Sequence, residues 1–116
     1  MVKDLAFAVY YVRDIPRARR FYNEVLGLKP GEWFNDDWIE FDLGNATFAL
    51  DGTGEALGIA PGTSRGVSFE VDDVHAMRQR VVDAGVAASE VHDFPACFAC
   101  FTSDPEGNRF ALHQRK

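Results

Sequence analysis

Two cysteines and three histidines are the residues of this 116-residue sequence best suited to metal, redox or proton chemistry. Cys97 and Cys100 have the C-x-x-C spacing found in redox and metal motifs. The segment 97–101 is predicted to be a β-strand, however, and side chains three apart in a strand point to opposite faces. Because the sequence holds no second cysteine pair to complete a zinc site, we interpret both cysteines as packing residues.

The three histidines differ in the chemistry that their positions allow. His75 falls in the first turn of a predicted helix and His92 in a predicted loop, so both are expected on the solvated surface. His113 is predicted in the last strand, on the same sheet face as Glu70. A histidine and a carboxylate in one apolar pocket can transfer protons. Glu70 and His113 are therefore candidates for acid–base catalysis, although the sequence assigns no catalytic residue and leaves open whether the protein is an enzyme.

Composition and charge exclude several classes of partner. The net charge of -6 repels phosphate backbones, so nucleic acid is not an expected partner. No apolar run reaches the length that crosses a membrane, and the first residues lack the layout of a secretion signal. We therefore expect a cytoplasmic protein with no membrane partner. With 47% hydrophobic residues, the chain can fill a core.

The same arrangement of elements is predicted twice along the chain. Each half begins with a strand, at residues 5–12 and at residues 66–71. An aspartate that can cap a helix follows, Asp14 in the first half and Asp73 in the second. Each helix ends at a glycine, and two or three strands come after it. The later strands are predicted at residues 38–43, 46–50, 98–102 and 109–113.

This repeat predicts a single domain, residues 1–116, with an α+β fold of two βαβββ modules. Module one is expected over about residues 1–52 and module two over about 65–116, joined by a loop at 53–64 that is rich in Gly, Thr and Pro. Units of this size bury little surface alone. We expect the two to form one curved, partly open, barrel-like mixed sheet with the helices on its convex face. The concave face is left for a small ligand. Because a domain of this size buries a small fraction of its surface, an interface with a second copy would stabilise it, and we expect a homodimer.

Three segments of the sequence resemble motifs of the glyoxalase/bleomycin resistance/extradiol dioxygenase superfamily, also called the vicinal oxygen chelate superfamily. Residues 12–28 resemble its opening motif V-x-D…F-Y-x-x-x-L-G-L, residues 67–74 its second opening motif F-x-V-x-D-V, and residues 104–110 its D-P-x-G-N turn. The resemblance implies paired βαβββ modules, commonly in a homodimer with a cavity inside each curved sheet. The superfamily contains glyoxalases, dioxygenases, epimerases, thiol transferases that inactivate fosfomycin, and proteins that bind bleomycin-type drugs without catalysis.

The resemblance also implies four positions that hold a divalent metal in the enzymes of the superfamily. In this sequence they carry Phe7, Ala49, Gly66 and Ala111, with Ala49 placed by the best register of its hairpin. None of these side chains has a donor atom for a cation. We therefore predict neither a metal nor another cofactor at the usual site, and do not expect ordinary glyoxalase or dioxygenase chemistry. A displaced metal site formed by Asp51, Glu70 and His113 on the same face is the alternative.

Strand alternation assigns a set of apolar and charged side chains to each face of the predicted sheet. The concave face is expected to contain Leu5, Phe7, Val9, Tyr11, Ala49, Asp51, Ser68, Glu70, Arg109, Ala111 and His113. The convex face, under the helices, is expected to contain Ala8, Val12, Phe48, Leu50, Val67, Phe69, Val71, Phe110 and Leu112. Apolar walls with a few charges are typical of a pocket for an amphipathic small molecule.

Two tryptophans lie close to the concave face in sequence. Trp33 and Trp38 stand among four acidic residues in the segment 31–40, a combination that suits a cationic or aromatic ligand. They could instead cover the hairpin or the contact between two copies. The predicted ligand-binding residues are therefore Phe7, Tyr11, Trp33, Trp38, Asp51, Ser68, Glu70, Arg109 and His113.

Three functions remain open at this point. The leading hypothesis is a domain that binds a small amphipathic, aromatic or cationic molecule without a metal. The second is an enzyme, either a lyase or dioxygenase with the displaced metal site or an acid–base catalyst that uses Glu70 with His113. The third is an interaction module without a ligand, whose pocket is filled by its own Phe7, Tyr11 and Trp38.

Overall fold

Two modules with the same order of elements make up the fold. The computed structural model describes residues 1–116 except for the side chains of residues 32–34, so the predicted binding residue Trp33 lies outside the described residues. Module one contains β1 (Ala8–Tyr11), α1 (Ile15–Arg20, continued by a π-helical segment over Phe21–Val25), β2 (Pro30–Asn35), β3 (Trp38–Asp42) and β4 (Thr47–Asp51). Module two contains β5 (Val67–Glu70), α2 (Val74–Asp83), β6 (His92–Asp93), β7 (Cys97–Ser103) and β8 (Arg109–Arg115).

Each module forms a four-stranded mixed sheet with its strands in the same order. The order is β1-β4-β3-β2 in module one and β5-β8-β7-β6 in module two. In both sheets the first strand is parallel to the last, and the other pairs are antiparallel. The predicted α+β fold of two βαβββ modules is confirmed. The sequence pattern does not predict β2 or β6 individually, because β2 begins at Pro30-Gly31 and β6 has only two residues.

Both helices begin at the aspartates predicted to cap them. A carboxylate oxygen of Asp14 accepts a hydrogen bond from the backbone N–H of Arg17 (3.0 Å), and Asp73 accepts one from that of Ala76 (3.0 Å). Each bond satisfies a donor that the first turn of a helix leaves free. Pro16 fits the first turn of α1, where its missing N–H costs nothing. The two helices therefore start at equivalent positions of the two modules.

One aromatic core is shared by the two modules. Tyr22, on the π-helical segment, is completely buried. The centroid of its ring lies 5.1 Å from that of Phe48 in module one, and 6.4 and 6.2 Å from those of Phe69 and Phe110 in module two. Ring pairs at these separations add to the stabilisation that burial alone gives. The core therefore lies between the helices and the faces of both sheets that were predicted to be convex.

The two sheets meet along a seam between β1 and β5. In the part of the chain that the structure describes, no backbone ladder joins these strands, so there are two sheets and not the one continuous sheet expected. The side chain of Tyr10 spans the seam: its hydroxyl donates to the carbonyl oxygen of Arg109 (2.5 Å) and accepts from the N–H of Val67 (3.0 Å). Burial raises the pKa of Tyr10. Among the described residues, no helix has the length and apolar character needed to cross a bilayer.

Candidate functional site

The seam has two ends that correspond to each other under the module repeat. One of them, the filled end, is closed by the linker of residues 52–64 and the turn of residues 104–108. Asn108 is completely buried there; its amide donates to the carbonyl oxygen of Tyr11 (3.0 Å) and its side-chain oxygen accepts from the N–H of Ser64 (3.0 Å). The Ser64 hydroxyl oxygen accepts from the N–H of Tyr11 (2.9 Å). A small pocket of about 40 Å³ lies beside Tyr11 at this end.

Two carboxylates of the same turn bind module one. The oxygens of Glu106 accept hydrogen bonds from the N–H groups of Arg13 (2.6 Å) and Asp14 (2.8 Å), just before α1. A carboxylate oxygen of the buried Asp104 accepts from the hydroxyl of Tyr22 (2.8 Å). Burial, and then the charge of Asp104, raise the pKa of Tyr22 well above its ordinary value. The turn is therefore a structural clamp between the modules.

The other end of the seam is an open cleft of about 800 Å³. It lies between the end of the first helix, the β3–β4 turn, the edge strand β5, the end of β8 and one residue of α2. Its apolar walls are formed by Ala8, Leu26, Leu28, Phe48, Val67, Phe69, Val71, Met77 and Leu112. Its polar lining includes Lys29, Asp42, Ser68, Glu70, His113 and Arg115. A volume of this size accommodates a small organic molecule.

A histidine–carboxylate pair lies in the polar lining of the cleft. The Nδ1 atom of His113 is 2.6 Å from Oε1 of Glu70. The other carboxylate oxygen of Glu70 accepts a hydrogen bond from the backbone N–H of Arg115 (2.7 Å). The Arg115 N–H bond, and then the His113 bond, lower the pKa of Glu70. Glu70 is therefore an ionised acceptor whose two oxygens both have protein partners.

The structure divides the predicted binding residues among separate places. Ser68, Glu70 and His113 come together in the cleft, as their shared sheet face predicts. Phe7 and Trp38 contact each other edge to face, with ring centroids 5.2 Å apart, and neither is among the residues that line the cleft.

The remaining predicted residues lie at the filled end or on the surface. The ring of Tyr11 packs against Gly54 of the linker, where a Cβ atom would stand 3.0 Å from it. Asp51 accepts hydrogen bonds from the N–H (2.7 Å) and the hydroxyl (2.6 Å) of Thr53. The side chain of Arg109 is exposed next to the filled end, where its backbone N–H donates to Ser64 (2.9 Å). These residues stabilise the linker and do not line the open cleft.

The family's metal positions offer no donor set in this chain. Ala49 and Ala111 are buried small side chains, and Phe7 and Gly66 carry no ligating atom. The residues of the displaced alternative are separated, because Asp51 binds Thr53 while Glu70 and His113 line the cleft. Among the residues that the structure describes, no three His, Cys, Asp or Glu side chains are grouped to hold a metal ion. The described residues do not fit the metal that the superfamily's enzymes use.

Sequence reasoning missed part of the cleft for a physical reason. Val67, Phe69, Val71 and Leu112 are predicted under the helices, yet they also line the cleft. Alternation assigns a side chain to a face, but β5 is an edge strand, and the space beside an edge is open to both faces. The cleft residues Lys29 and Arg115 give no such signal, because they follow or end their elements.

Paired βαβββ modules around a cleft define the class of fold, and solved structures share it. TnmS3, an antibiotic binding protein from Streptomyces sp. CB03234, is 24% identical over all of both chains with a TM-score of 0.77. A glyoxalase/bleomycin resistance protein from the same Streptomyces is 27% identical over 93% of this chain and 99% of the other, with a TM-score of 0.73. Lactoylglutathione lyase from Agrobacterium tumefaciens is 20% identical over 97% and 94%, with a TM-score of 0.77.

The family model of the Glyoxalase/Bleomycin resistance protein/Dioxygenase superfamily matches residues 4–112. The chain belongs to this superfamily, as its three motifs predict. No curated protein sequence matches the chain.

Proposed function

We propose that the protein binds a small amphipathic molecule in the open cleft without a metal. The observation that carries this proposal is a cleft of about 800 Å³ with apolar walls and a polar lining, in a chain without donors at the superfamily's metal positions. Apolar walls supply most of the binding free energy by burying ligand surface, and a few polar groups fix its orientation. One similar structure is, by its name, an antibiotic binding protein, which supports the same general role.

The composition of the cleft favours an aromatic or aliphatic body with a polar group. Phe69, which is 7% exposed, presents a small part of its surface to the cleft, and the buried ring of Phe48 lies behind it with ring centroids 5.2 Å apart. The lining holds both negative and positive groups: Asp42 opposes Lys29 in charge, and Glu70 is already paired. Among the described lining residues, Lys29 and Arg115 balance the charges of Asp42 and Glu70, so a ligand defined mainly by cationic charge is less favoured than a polar aromatic molecule.

Calorimetric titration with 2-naphthol tests the proposal. At about 0.5 kcal/mol per non-hydrogen atom, its 11 non-hydrogen atoms give an expected Kd of about 0.1 mM. We expect Ala46→Trp, in the cleft lining, to weaken binding at least about tenfold by filling the space. Ala56→Trp, on the exposed linker, is the matched control and should leave the Kd unchanged.

Chelation is the second arm of this experiment. Because the proposed site needs no cation, 2-naphthol should bind equally well in the presence of excess EDTA. Strict loss of binding with EDTA, or equal binding by the Ala46→Trp variant, would contradict the proposal.

We also propose that the protein is a homodimer. Phe7, Phe94 and Phe101 are each about two-fifths exposed, at 43%, 42% and 41%. The rings of Phe94 and Phe101 both lie against His92, with centroids 5.8 and 5.6 Å from its ring, so they form one exposed apolar patch. Such a patch is typical of a surface that a partner covers. Sedimentation velocity tests this: a wild-type dimer that Phe101→Glu dissociates supports the proposal, and a monomeric wild type contradicts it.

A further inference from the structure

The pairing of His113 with Glu70 determines which ring nitrogen of the histidine carries hydrogen. Nδ1 of His113 is 2.6 Å from Oε1 of Glu70, and an ionised carboxylate can only accept hydrogen bonds. Nδ1 must therefore be the donor. In a neutral imidazole only one nitrogen carries hydrogen, so Nε2 is left with a bare lone pair.

The second oxygen of Glu70 holds this arrangement in place. It accepts the backbone N–H of Arg115 at 2.7 Å, and this N–H belongs to β8, the strand that also carries His113. The carboxylate is thus fixed between a backbone donor and the imidazole, and it cannot turn away without losing both bonds. Carboxylates that accept a ring N–H fix the tautomer and orientation of metal-binding histidines in the same way.

The imidazole ring of His113 is accessible from the cleft. His113 lines the cleft, and about a third of its side chain, 32%, is exposed. Within the part of the chain that the structure describes, no group makes a hydrogen bond with Nε2. An acceptor beside an apolar wall gains from a ligand that supplies a donor and loses when a ligand displaces its water without one.

We propose that Nε2 of neutral His113 accepts a hydrogen bond from a hydroxyl group of the ligand, so that the cleft selects aromatic alcohols of the phenol class over their ethers. This inference rests on the proposed function, because it names the ligand class of the same cleft. Glu70 is then a positioning residue: it does not touch the ligand, and it acts by fixing the tautomer of His113.

The test compares 2-naphthol with 2-methoxynaphthalene, which has the same rings and no hydroxyl donor. The binding is measured by fluorescence titration at about pH 8, because an ordinary imidazole is neutral at this pH. We expect wild-type protein to bind 2-naphthol about tenfold more tightly, the contribution of one hydrogen bond to a partly exposed acceptor. His113→Phe keeps a ring of similar shape without nitrogen, so the two affinities should become equal.

Glu70→Gln separates the positioning role from a merely structural one. The Gln carbonyl oxygen would accept the Arg115 N–H and direct its NH₂ group at Nδ1 of His113. His113 would then carry its hydrogen on Nε2 and donate equally to a hydroxyl or an ether oxygen. We expect both compounds to bind with a ratio near one. Glu90→Gln, at an exposed glutamate paired with Arg78, is the matched control and should keep the tenfold ratio.

Nitrogen-15 NMR of the imidazole gives a readout that needs no ligand. The wild type should show hydrogen on Nδ1 of His113, and Glu70→Gln should show it on Nε2. Equal binding of the two compounds by wild type, a preference that survives in His113→Phe, or an Nε2–H tautomer in wild type would each overturn this inference. If wild type binds neither compound, the proposed function fails as well, and the two failures are thereby distinguished.

Discussion

The two ends of the seam have the same strand arrangement, but one is filled by the linker and a turn and the other is an open cleft. Under the module repeat, Tyr11 and Asp51 are paired across β1 and β4 in the way that Glu70 and His113 are paired across β5 and β8. At the filled end, Asp51 binds the linker; at the cleft, His113 keeps a nitrogen free.

The turns at the two ends explain the difference. The turn of residues 104–108 sends Asp104, Glu106 and Asn108 across the seam into module one. In the turn of residues 43–46, the nearby carboxylate of Asp42 only closes its own hairpin, accepting the N–H of Gly44 (2.8 Å). A duplicated fold provides two equivalent recesses, and turn chemistry decides which becomes structure and which stays available to a ligand.

The largest contrast between the two ends is expected from their aspartates. Asp104 is buried and accepts from the Tyr22 hydroxyl, the Asn108 amide and two backbone N–H groups. Asp104→Ala strands these donors, so we expect it to lower the free energy of unfolding by about 4 kcal/mol. Asp42→Ala should cost about 0.5 kcal/mol, because Asp42 is exposed. Urea unfolding measures both, and equal losses would mean that the turn of residues 104–108 is no clamp.

A second contrast tests how closely the linker meets the turn. At Gly62 a Cβ atom would stand 2.4 Å from the carbonyl oxygen of Glu106, and φ is +75°. Gly62→Ala therefore meets both a clash and backbone strain, and should cost about 3 kcal/mol. Gly58→Ala is the matched control, since φ is +79° with nothing within 4 Å, and should cost about 1 kcal/mol. Similar urea midpoints for the two variants would show that the linker yields at Gly62.

The starts of the two helices give a smaller contrast. Glu106 accepts two N–H groups before α1, whereas Gln114 accepts only that of Val74 (2.9 Å) at the start of α2. Charge-assisted bonds are about twice as strong as neutral ones. We expect Glu106→Ala to cost about 2 kcal/mol and Gln114→Ala about 1 kcal/mol in thermal unfolding. The reverse order would contradict the assignment of Glu106 to the clamp.

The smallest effect concerns the cleft and depends on pH. The pKa of Glu70 is lowered in the folded protein, first by the Arg115 N–H bond and then by the His113 bond. A lowered pKa means stabilisation that is present above the ordinary glutamate pKa and is lost as pH falls through the folded value. We expect Glu70→Gln to have a slightly lower urea midpoint than wild type at about pH 6, and the gap to narrow as the pH falls below the ordinary glutamate pKa of about 4.3. A gap that widens on acidification would disagree with this direction.

Local signals in the sequence predict the fold well. Asp14 and Asp73 cap helices because their side chains accept hydrogen bonds from N–H groups only three residues away. A contact this local is predictable from the order of the residues. Alternation also places Phe48, Phe69 and Phe110 correctly in the core. These features depend on short-range geometry, so the sequence alone determines them.

The candidate site depends on long-range geometry, and much less of it is predictable. Glu70 and His113 share a sheet face and are correctly expected together. Tyr11 and Asp51 satisfy the same rule, yet the linker occupies their end of the seam. Strand alternation is identical at both ends. The two ends differ because the Asn108 amide donates a hydrogen bond to Tyr11, which is 97 residues away in sequence. No local sequence pattern predicts a contact at that separation.

Tyr22 has a consequence for how the molecule comes apart. Its ring contacts Phe41 and Phe48 of module one and Phe69 and Phe110 of module two. Neither module therefore has a complete hydrophobic core of its own. Loosening either half would expose the phenol ring and strand the charge of Asp104 that it binds. We therefore expect the two modules, although they repeat the same order of elements, to unfold together in one cooperative transition.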